Sequence, residues 1–190
     1  MTTQKHRFVR RGTTPQQGFT LVEVMISTVI LTVGLVGLLG VFATAIASTQ
    51  TAQQDMIAKQ LADEAMESIF TARNTAQVQW PMIQNVGAGT VPDGIFVTGF
   101  QPINLAGGDG IVGTGDDTGA EVLRLPGKDG IVGTSDDVLL GLSNYQRSIA
   151  IAPWPGSQTL RQVTITIQYN VPGQRLPKTY VMTALISLYR

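Results

Sequence analysis

An uncharged apolar segment of membrane-spanning length constrains this chain more than any other feature. No charged residue occurs from Val24 through Gln54, and the apolar part proper runs from Val24 to about Ala47. About 20 apolar residues are enough to cross the hydrocarbon core of a bilayer. The chain is therefore predicted to be a membrane protein with one spanning helix.

A single acid, Glu23, stands immediately before this segment, and the tail upstream of Gly18 is basic. The tail contains no acid and carries Lys5, His6, Arg7, Arg10 and Arg11. By the positive-inside rule, the tail is predicted to be cytoplasmic and the rest of the chain to face outward. Because an ionisable group at the edge of a span is costly unless it is paired, Glu23 is a candidate functional residue. The alternative is that Glu23 lies at headgroup depth, where its charge costs little.

The residues from Gly18 to Met25 read Gly-Phe-Thr-Leu-Val-Glu-Val-Met and resemble the class III signal of type IV prepilins and pseudopilins. In that family a membrane-embedded prepilin peptidase cuts after the glycine and methylates the new amino-terminal residue. The resemblance implies that residues 1–18 are a cleaved basic leader and that Phe19 becomes N-methylated. It also implies that Glu23 meets the terminal amine of a neighbouring subunit during assembly. A carboxylate beside an amine is far more stable in low dielectric than either charge alone.

Three glycines, Gly34, Gly37 and Gly40, interrupt the apolar segment at three-residue intervals. Each glycine lowers helix stability by about 1 kcal/mol relative to alanine, so the three are candidates for a weak point at which the helix extends in a filament. The alternative is that they permit close packing, as glycines in transmembrane helices do. The pattern from Ile30 to Leu38 resembles the minor-pilin branch called type IV pilus modification proteins. Major pilins often carry a proline in this region, and this chain does not.

Helical periodicity continues past the span, so residues 19–47 are predicted to be a transmembrane and assembly helix that continues as an amphipathic helix over 48–76. Its apolar stripe repeats every four residues at Ile57, Leu61, Ala65 and Ile69. Ala58, Ala62, Met66 and Phe70 flank the stripe. Met66 and Phe70 are interpreted as core residues because they lie on this face.

A change of composition after Asn74 to Gly, Pro, Asp and short β-rich runs predicts a globular head over 77–190. The predicted strands are Ile95–Phe100, Glu121–Leu125, Tyr145–Ala152, Arg161–Tyr169 and Thr179–Tyr189. Residues 170–177 should connect the last two strands as antiparallel neighbours. The expected fold class is α+β, in which the long N-terminal helix packs on an antiparallel β-sheet head.

An internal repeat lies within the head, at residues 109–137. The nine residues from Asp109 to Asp117 recur as Asp129 to Asp137, and the one change is Gly115 to Ser135. This range contains seven acidic residues and only two basic residues, Arg124 and Lys128. Calcium binds six to eight oxygen ligands from carboxylates and carbonyls, and glycines let a loop fold those oxygens inward. The loops also resemble the Asp- and Gly-rich calcium loops near the end of the major pseudopilin of type II secretion.

The sequence therefore predicts calcium as a cofactor, and no organic cofactor is expected. The candidate ligands are Asp109, Asp116, Asp117, Asp129, Asp136 and Asp137. The alternative is that the Asp-Gly pairs form tight turns of a repeated hairpin, with the paired acids solvated. In the calcium interpretation, Thr114 or Thr134 would add a hydroxyl ligand or stabilise the turn.

Composition excludes several other functions. Without the leader's four Lys and Arg, the chain has nine basic and thirteen acidic residues, which argues against a general nucleic-acid footprint. Trp80 and Trp154 could stack on nucleic-acid bases, but neither lies among interleaved basic residues. Both are therefore interpreted as packing residues. The chain has no cysteine, so disulfides, thiolate catalysis and zinc-thiolate sites are absent. The only histidine, His6, would leave with the leader, and no spacing singles out another catalytic site, so an enzyme is not expected.

These observations predict a minor type IV pilin, a subunit that prepilin peptidase processes and that assembles into or primes a pilus. Its partners would be other pilin subunits, the peptidase, an assembly platform and the membrane. It would cross the inner membrane once, with the head in the periplasm or outside, and then join a cell-surface pilus. Family membership would imply a role in adhesion, twitching motility or DNA uptake. The alternatives are a minor pseudopilin of a type II secretion system and, from another class, a membrane-anchored calcium-dependent binding module or adhesin.

Overall fold

The computed structural model describes residues 18–88 and 92–189, so the expected basic tail before Gly18 lies outside the described residues. Its first element is one long helix, α1 (Leu21–Asn74). The chain separates into two compact units, of which the first ends at Ile46 and the second begins at Ala47. A left-handed residue, Ala76, at φ 60°, follows the end of α1.

The first unit is the apolar half of α1, and its side chains have no cover within the described chain. Every large apolar side chain between Phe19 and Ile46 is at least 50% exposed. Among the described helices, only α1 is long and apolar enough to cross a membrane, with a mean hydropathy of 2.5 in its most apolar window. This unit is consistent with membrane anchoring.

The hydroxyl groups of this apolar half bond back to the helix's own carbonyls. Ser27 Oγ donates to the Glu23 carbonyl at 2.7 Å, and Thr32 Oγ1 donates to the Thr28 carbonyl at 2.7 Å. Farther along, Thr44 Oγ1 donates to the Val41 carbonyl at 2.8 Å. Such bonds satisfy polar side chains without water, so these residues are compatible with a lipid environment.

The second half of α1 forms one wall of the head's core. The buried residues of α1 are Ala58, Leu61, Ala62, Ala65, Met66, Ile69 and Ala72. Ile57 and Phe70 are partly buried against the same core. The expected amphipathic stripe is therefore confirmed, and Met66 is a core residue. Because small alanines alternate with larger residues along the stripe, the helix can lie close to the strands beneath it.

Those strands belong to a four-stranded antiparallel sheet in the order β1-β6-β7-β8. Its members are β1 (Gln101–Pro102), β6 (Tyr145–Pro153), β7 (Leu160–Tyr169) and β8 (Lys178–Ser187). Residues of β7 at alternate positions, Val163, Ile165 and Ile167, are fully buried. Alternation of this kind places one face of each strand on the core, as the sequence predicted.

Two short hairpins complete the head. The first pairs β2 (Asn104–Leu105) with β3 (Thr118–Ala120), and the second pairs β4 (Val122–Leu125) with β5 (Val138–Gly141). A short 3-10 helix, Trp80–Met82, lies between α1 and the first strand. The long apolar helix and the antiparallel sheets confirm the α+β class, and residues 170–177 join β7 to β8 as antiparallel neighbours.

The predicted strand at Ile95–Phe100 is wrong. Phe96 is buried at 1% exposure but forms only isolated bridges with Asn85 and Thr114. Gly99 has a positive φ of 81°, which an extended strand does not allow. The glycine therefore interrupts the extended backbone, and the residues before it are too few to pair as a strand.

Polar contacts fasten α1 to the two ends of β8. Near the start of the strand, Lys178 Nζ lies 2.6 Å from Asp55 Oδ2, and the Tyr169 hydroxyl donates to Asp55 Oδ1 at 2.6 Å. The bond from Lys178, and then the bond from Tyr169, lower the pKa of Asp55. At the other end, Arg73 Nη1 donates to the carbonyl of Ser187 at 3.1 Å. The stretch of α1 from 55 to 73 and strand β8 are each about 30 Å long, so the helix lies along the strand.

Candidate functional site

The start of α1 is built by Thr20. The Glu23 amide donates to Thr20 Oγ1 at 3.3 Å, and the Val24 amide donates to the Thr20 carbonyl at 3.2 Å. Thr20 is thus the N-cap, and Glu23 is the acid three residues later, which is the spacing of a capping box. A carboxylate in the first helical turn also interacts favourably with the helix dipole. The backbone amide of Glu23 therefore takes part in the cap, which sequence reasoning had not predicted, while its carboxylate makes no hydrogen bond within the described chain.

The predicted cleavage site lies just outside this helix. Gly18 and Phe19 precede the first helical residue, and the Phe19 side chain is 83% exposed. A methyl group placed on Gly18 would meet no atom within 4 Å. The peptide bond between the two residues is therefore accessible within the described chain, as a protease substrate has to be.

Glu23 forms no ion pair among the residues that the structure describes. Its exposed position leaves the carboxylate available to a group from another chain. The predicted contact with a neighbouring amine stays a prediction.

The three glycines, Gly34, Gly37 and Gly40, lie within unbroken helix. A methyl group on any of them would meet nothing within 4 Å, so no described part of the chain uses the space they leave. Both of their predicted roles, local extension and close packing, depend on contact with other helices. Both roles stay predictions.

The two copies of the Asp/Gly repeat are the loops of the two hairpins. Loop 1 (107–117) joins β2 to β3, and loop 2 (127–137) joins β4 to β5. In loop 1, Asp109 Oδ1 accepts from the Ile111 amide at 2.8 Å, and Asp117 Oδ2 accepts from the Gly113 amide at 2.6 Å. Thr114 Oγ1 donates to Asp116 Oδ1 at 2.6 Å.

Loop 2 repeats these three hydrogen bonds. Asp129 accepts from the Ile131 amide at 2.9 Å, and Asp137 accepts from the Gly133 amide at 2.7 Å. Thr134 donates to Asp136 at 2.7 Å. The repeat in sequence is therefore a repeat in structure, in which each aspartate accepts hydrogen bonds from its own loop.

Glycines are required at fixed positions of this loop. A methyl group on Gly107 or Gly127 would collide with Asp116 or Asp136 respectively, because the carboxylate lies against the glycine. Gly110, Gly113, Gly130 and Gly133 have positive φ angles between 68° and 99°, which favour glycine. Backbone geometry thus explains the two glycines that both copies of the repeat share.

Hydrogen bonds from hydroxyl groups dominate the electrostatics of the loops. The bond from Thr114 lowers the pKa of Asp116, and the bond from Thr134 lowers the pKa of Asp136. Within the described residues, no three Asp, Glu or His side chains form a group that could hold a metal ion. Asp137 Oδ1 is buried and lacks a hydrogen-bond partner. The hairpin arrangement agrees with the alternative of repeated turns, while calcium binding stays a prediction.

The surroundings of the two loops differ, which the near-identical sequences did not reveal. In loop 1, Ile111 and Val112 are buried at 2% and 3% exposure, and the Val112 amide donates to Ser68 Oγ of α1 at 3.2 Å. In loop 2, Ile131 and Val132 are 61% and 57% exposed. Only the first copy contributes to the core, because only the first copy lies against α1.

A group of charges around the buried Arg147 was also missed from the sequence. Arg147 is 3% exposed, and its Nη1 lies 3.9 Å from Glu64 Oε2 on α1. Burial lowers the pKa of Arg147. Burial, followed by the charge of Glu64, raises the pKa of Glu121. The alternation of β6 places Arg147 among inward-facing residues, and this was the signal that could have revealed this group of charges.

Comparison with known families identifies the amino-terminal region alone. Residues 13–39 match the family model described as the prokaryotic N-terminal methylation motif. The chain therefore carries this motif, which is consistent with a type IV pilin-like protein. No curated protein and no solved structure matches the chain. The matched range contains Gly18, Phe19 and Glu23 and does not extend into the head.

Proposed function

We propose that this chain, a type IV pilin-like precursor by its methylation motif, is a minor type IV pilin. The observation that carries the proposal is the motif at residues 13–39, at the start of a 54-residue helix whose apolar half lacks cover within the described chain. The motif implies processing by prepilin peptidase and assembly with other pilin-like subunits. A structural subunit, not an enzyme, is what such a motif suggests.

The proposed sequence of events starts at the exposed bond between Gly18 and Phe19. Cleavage there leaves Phe19 as the new terminus, four residues before Glu23. The carboxylate of Glu23 then pairs with the terminal amine of a neighbouring subunit and fixes the position of one helix against the next. A buried pair of opposite charges is much less costly than either charge left alone, so the pairing selects one alignment of the helices.

The spanning helix anchors the chain in the inner membrane before assembly, and the head stays in the periplasm or outside. The absence of proline near Ile30–Leu38 supports a minor pilin over a major one. Priming of assembly, adhesion, motility and DNA uptake are roles compatible with this position.

Mass spectrometry of the amino terminus tests the proposal. Peptides from the membrane fraction are compared with peptides from sheared surface filaments of the same cells. We expect N-methylated Phe19 in the filament fraction. Processed Phe19 found only in membranes would favour a pseudopilin of a type II secretion system. An intact leader in every fraction would contradict processing and favour a simple membrane-anchored binding module.

A further inference from the structure

Both copies of the Asp/Gly repeat hold the same apolar pair, an isoleucine followed by a valine, in the same backbone conformation. Thr114 Oγ1 donates to the Ile111 carbonyl at 3.1 Å, and Thr134 Oγ1 donates to the Ile131 carbonyl at 3.2 Å. The glycines with positive φ also occur at the same positions of the two loops. A surface that accepts the pair from one loop therefore fits the pair of the other.

Loop 1 shows what kind of surface accepts this pair. Ile111 and Val112 are buried in the core of the head, and the Val112 amide donates to the hydroxyl of Ser68 on α1. The side-chain amide of Gln77, just after the end of α1, donates to the Asp109 carbonyl. The receiving surface is thus a helix face with a hydroxyl acceptor and an amide donor at its side. We call this surface the helix notch.

Loop 2 has no helix notch within the described chain. Ile131 and Val132 are exposed, and Val138 and Leu139 of the same hairpin extend the exposed apolar surface. The hydrogen bonds and the ion pair of loop 2 all stay within its own hairpin. These bonds already fix the loop in the conformation that loop 1 has when its pair is buried. Docking of the pair therefore needs little further ordering, which favours binding.

The charges around the exposed pair argue against lipid or nucleic acid as its partner. Loop 2 carries Asp129, Asp136 and Asp137 against a single base, Lys128. An excess of acid is repelled by anionic lipid headgroups and by the phosphates of a nucleic acid. The fitting partner is a protein surface that is apolar at its centre and neutral or basic at its rim.

A second copy of this chain does not offer a vacant helix notch, because its own loop 1 fills that surface. A neighbouring cavity of about 240 Å³ on α1 is lined by Leu61 and Leu123 but also by Glu64 and Glu121. These two carboxylates would lie against the exposed aspartates of loop 2, and like charges at short range repel each other. A different polypeptide, with a notch that no loop of its own fills, is the better occupant.

We propose that loop 2 inserts Ile131 and Val132 into a vacant helix notch of a different pilin-like subunit. A serine or threonine hydroxyl of that helix accepts from the Val132 amide, as Ser68 accepts from Val112 within this chain. Neutral or basic side chains surround the notch. The identification of the partner as a pilin-like subunit rests on the proposed function, whereas the fit of the loop to a helix notch rests on loop 1.

Photo-crosslinking from the one position at which the two copies differ tests the proposal. Ser135 of loop 2 and Gly115 of loop 1 are both exposed, and a methyl group on Gly115 would meet no atom within 4 Å. A benzophenone side chain is placed at either position of the full-length chain, in native membrane and filament fractions. We expect at least about tenfold more cross-linking from position 135, since burial of the pair is worth more than that factor in affinity. The cross-linked peptides should map to a helix of a different polypeptide that carries the methylation motif, beside a serine or threonine.

The same substitution in the two loops separates docking from folding. We expect Ile131→Ala to leave the melting temperature unchanged and to reduce cross-linking from position 135 about tenfold, because an exposed side chain contributes to docking alone. The control, Ile111→Ala, should lower the melting temperature, because it removes a buried side chain, and should keep the cross-link. The wild-type map and the Ile131→Ala result stand even where Ile111→Ala does not fold.

Four outcomes would overturn the proposal. They are equal cross-linking from positions 135 and 115, cross-links to lipid alone, cross-links to copies of this chain alone, and unchanged cross-linking in Ile131→Ala. Measuring the Phe19 terminus in the same samples separates the two ideas. Processed Phe19 without cross-links refutes docking and leaves the pilin proposal standing. An intact leader together with cross-links to the helix of a polypeptide that lacks the methylation motif supports docking to a helix notch and contradicts the pilin proposal.

Discussion

Glu23 contributes its backbone amide to the helix cap and has a predicted role between subunits that would use its side chain. The cap needs only the amide of residue 23, which glutamine also supplies. Pairing with an amine needs the negative charge. A change that removes only the charge therefore separates folding of the helix from assembly.

We expect Glu23→Gln to leave the helix intact and to reduce recovery of the chain in sheared filaments at least about tenfold. Removing one partner of a buried ion pair costs several kcal/mol, and about 1.4 kcal/mol corresponds to tenfold. Circular dichroism measures the helix, and immunoblots of filament fractions measure assembly. Glu67→Gln, at an exposed acid of the same helix, is the control and should assemble normally. Normal assembly of Glu23→Gln would contradict the predicted role of Glu23 in aligning the helices of neighbouring subunits.

The negative charge of Glu121 lowers the stability of the folded head. Because its pKa is raised in the folded state, the folded head favours the protonated form. Its contribution to stability is therefore complete at low pH and is lost as the pH rises through the raised pKa. We expect Glu121→Gln to raise the melting temperature by about 2 °C at pH 7 and to have no effect near pH 4. A lower melting temperature at pH 7 would mean that the attraction to Arg147 outweighs burial.

At the scale of elements, the two loops combine nearly the same sequence with different surroundings. Hydrogen bonds between carboxylates and amides shape each loop, and packing on α1 adds to loop 1 alone. Loop 2 must keep its shape by its own bonds. It is therefore the copy whose stability should depend most on what binds its carboxylates.

Calcium binding by the loops predicts a higher melting temperature of the head in calcium than in chelator. The buried Oδ1 of Asp137 lacks a hydrogen-bond partner and could act as a ligand without losing a bond. Differential scanning calorimetry of the detergent-solubilised chain measures the shift. The variant Asp137→Asn should reduce it, and Asp63→Asn on α1 should not. Identical melting curves in calcium and chelator would end the calcium prediction.

Elements were predictable from the sequence where they are long. In β7, alternation extends over the seven residues from Val163 to Tyr169, and α1 combines an apolar run with a stripe that repeats every four residues, so both were found. Strands β2, β3 and β5 have two to four residues, which is too short for periodicity to stand out. Glu23 was predicted as a candidate because it is a lone acid beside an apolar run, and its role stays a prediction. The position of β8 at the edge of the sheet was not predictable, because an edge is defined by which strands fail to pair with it.

At the scale of the molecule, the core of the head lies entirely within the second unit. Its buried apolar residues run from Ala58 to Ile186, and none lies in the span. Residues 47–190 should therefore contain everything that the head needs to fold. Folding of the head requires the second half of α1, because this part of the helix covers the buried residues of β7.

We expect a fragment of residues 47–190 to be soluble and to unfold cooperatively. A fragment of residues 75–190 lacks α1, exposes Val163, Ile165 and Ile167, and should aggregate or remain unfolded. Gel filtration and thermal melts followed by circular dichroism distinguish the two results. Cooperative unfolding of the shorter fragment would show that the sheet and hairpins are stable without the helix.

The attachment of α1 to both ends of β8 has a mechanical consequence. As a filament subunit, which is the proposed function, the chain would be pulled through its helix, and the links at Asp55 and Arg73 would pass that load to β8 along the direction of the strand. The hydrogen bonds between β7 and β8 are then loaded in shear, so many must break together instead of one after another. Single-molecule pulling through residue 47 should accordingly meet a higher rupture force when both links are present than in the Asp55→Ala, Arg73→Ala double variant. In the proposed filament, the two links would thus help the head to resist tension applied through its helix.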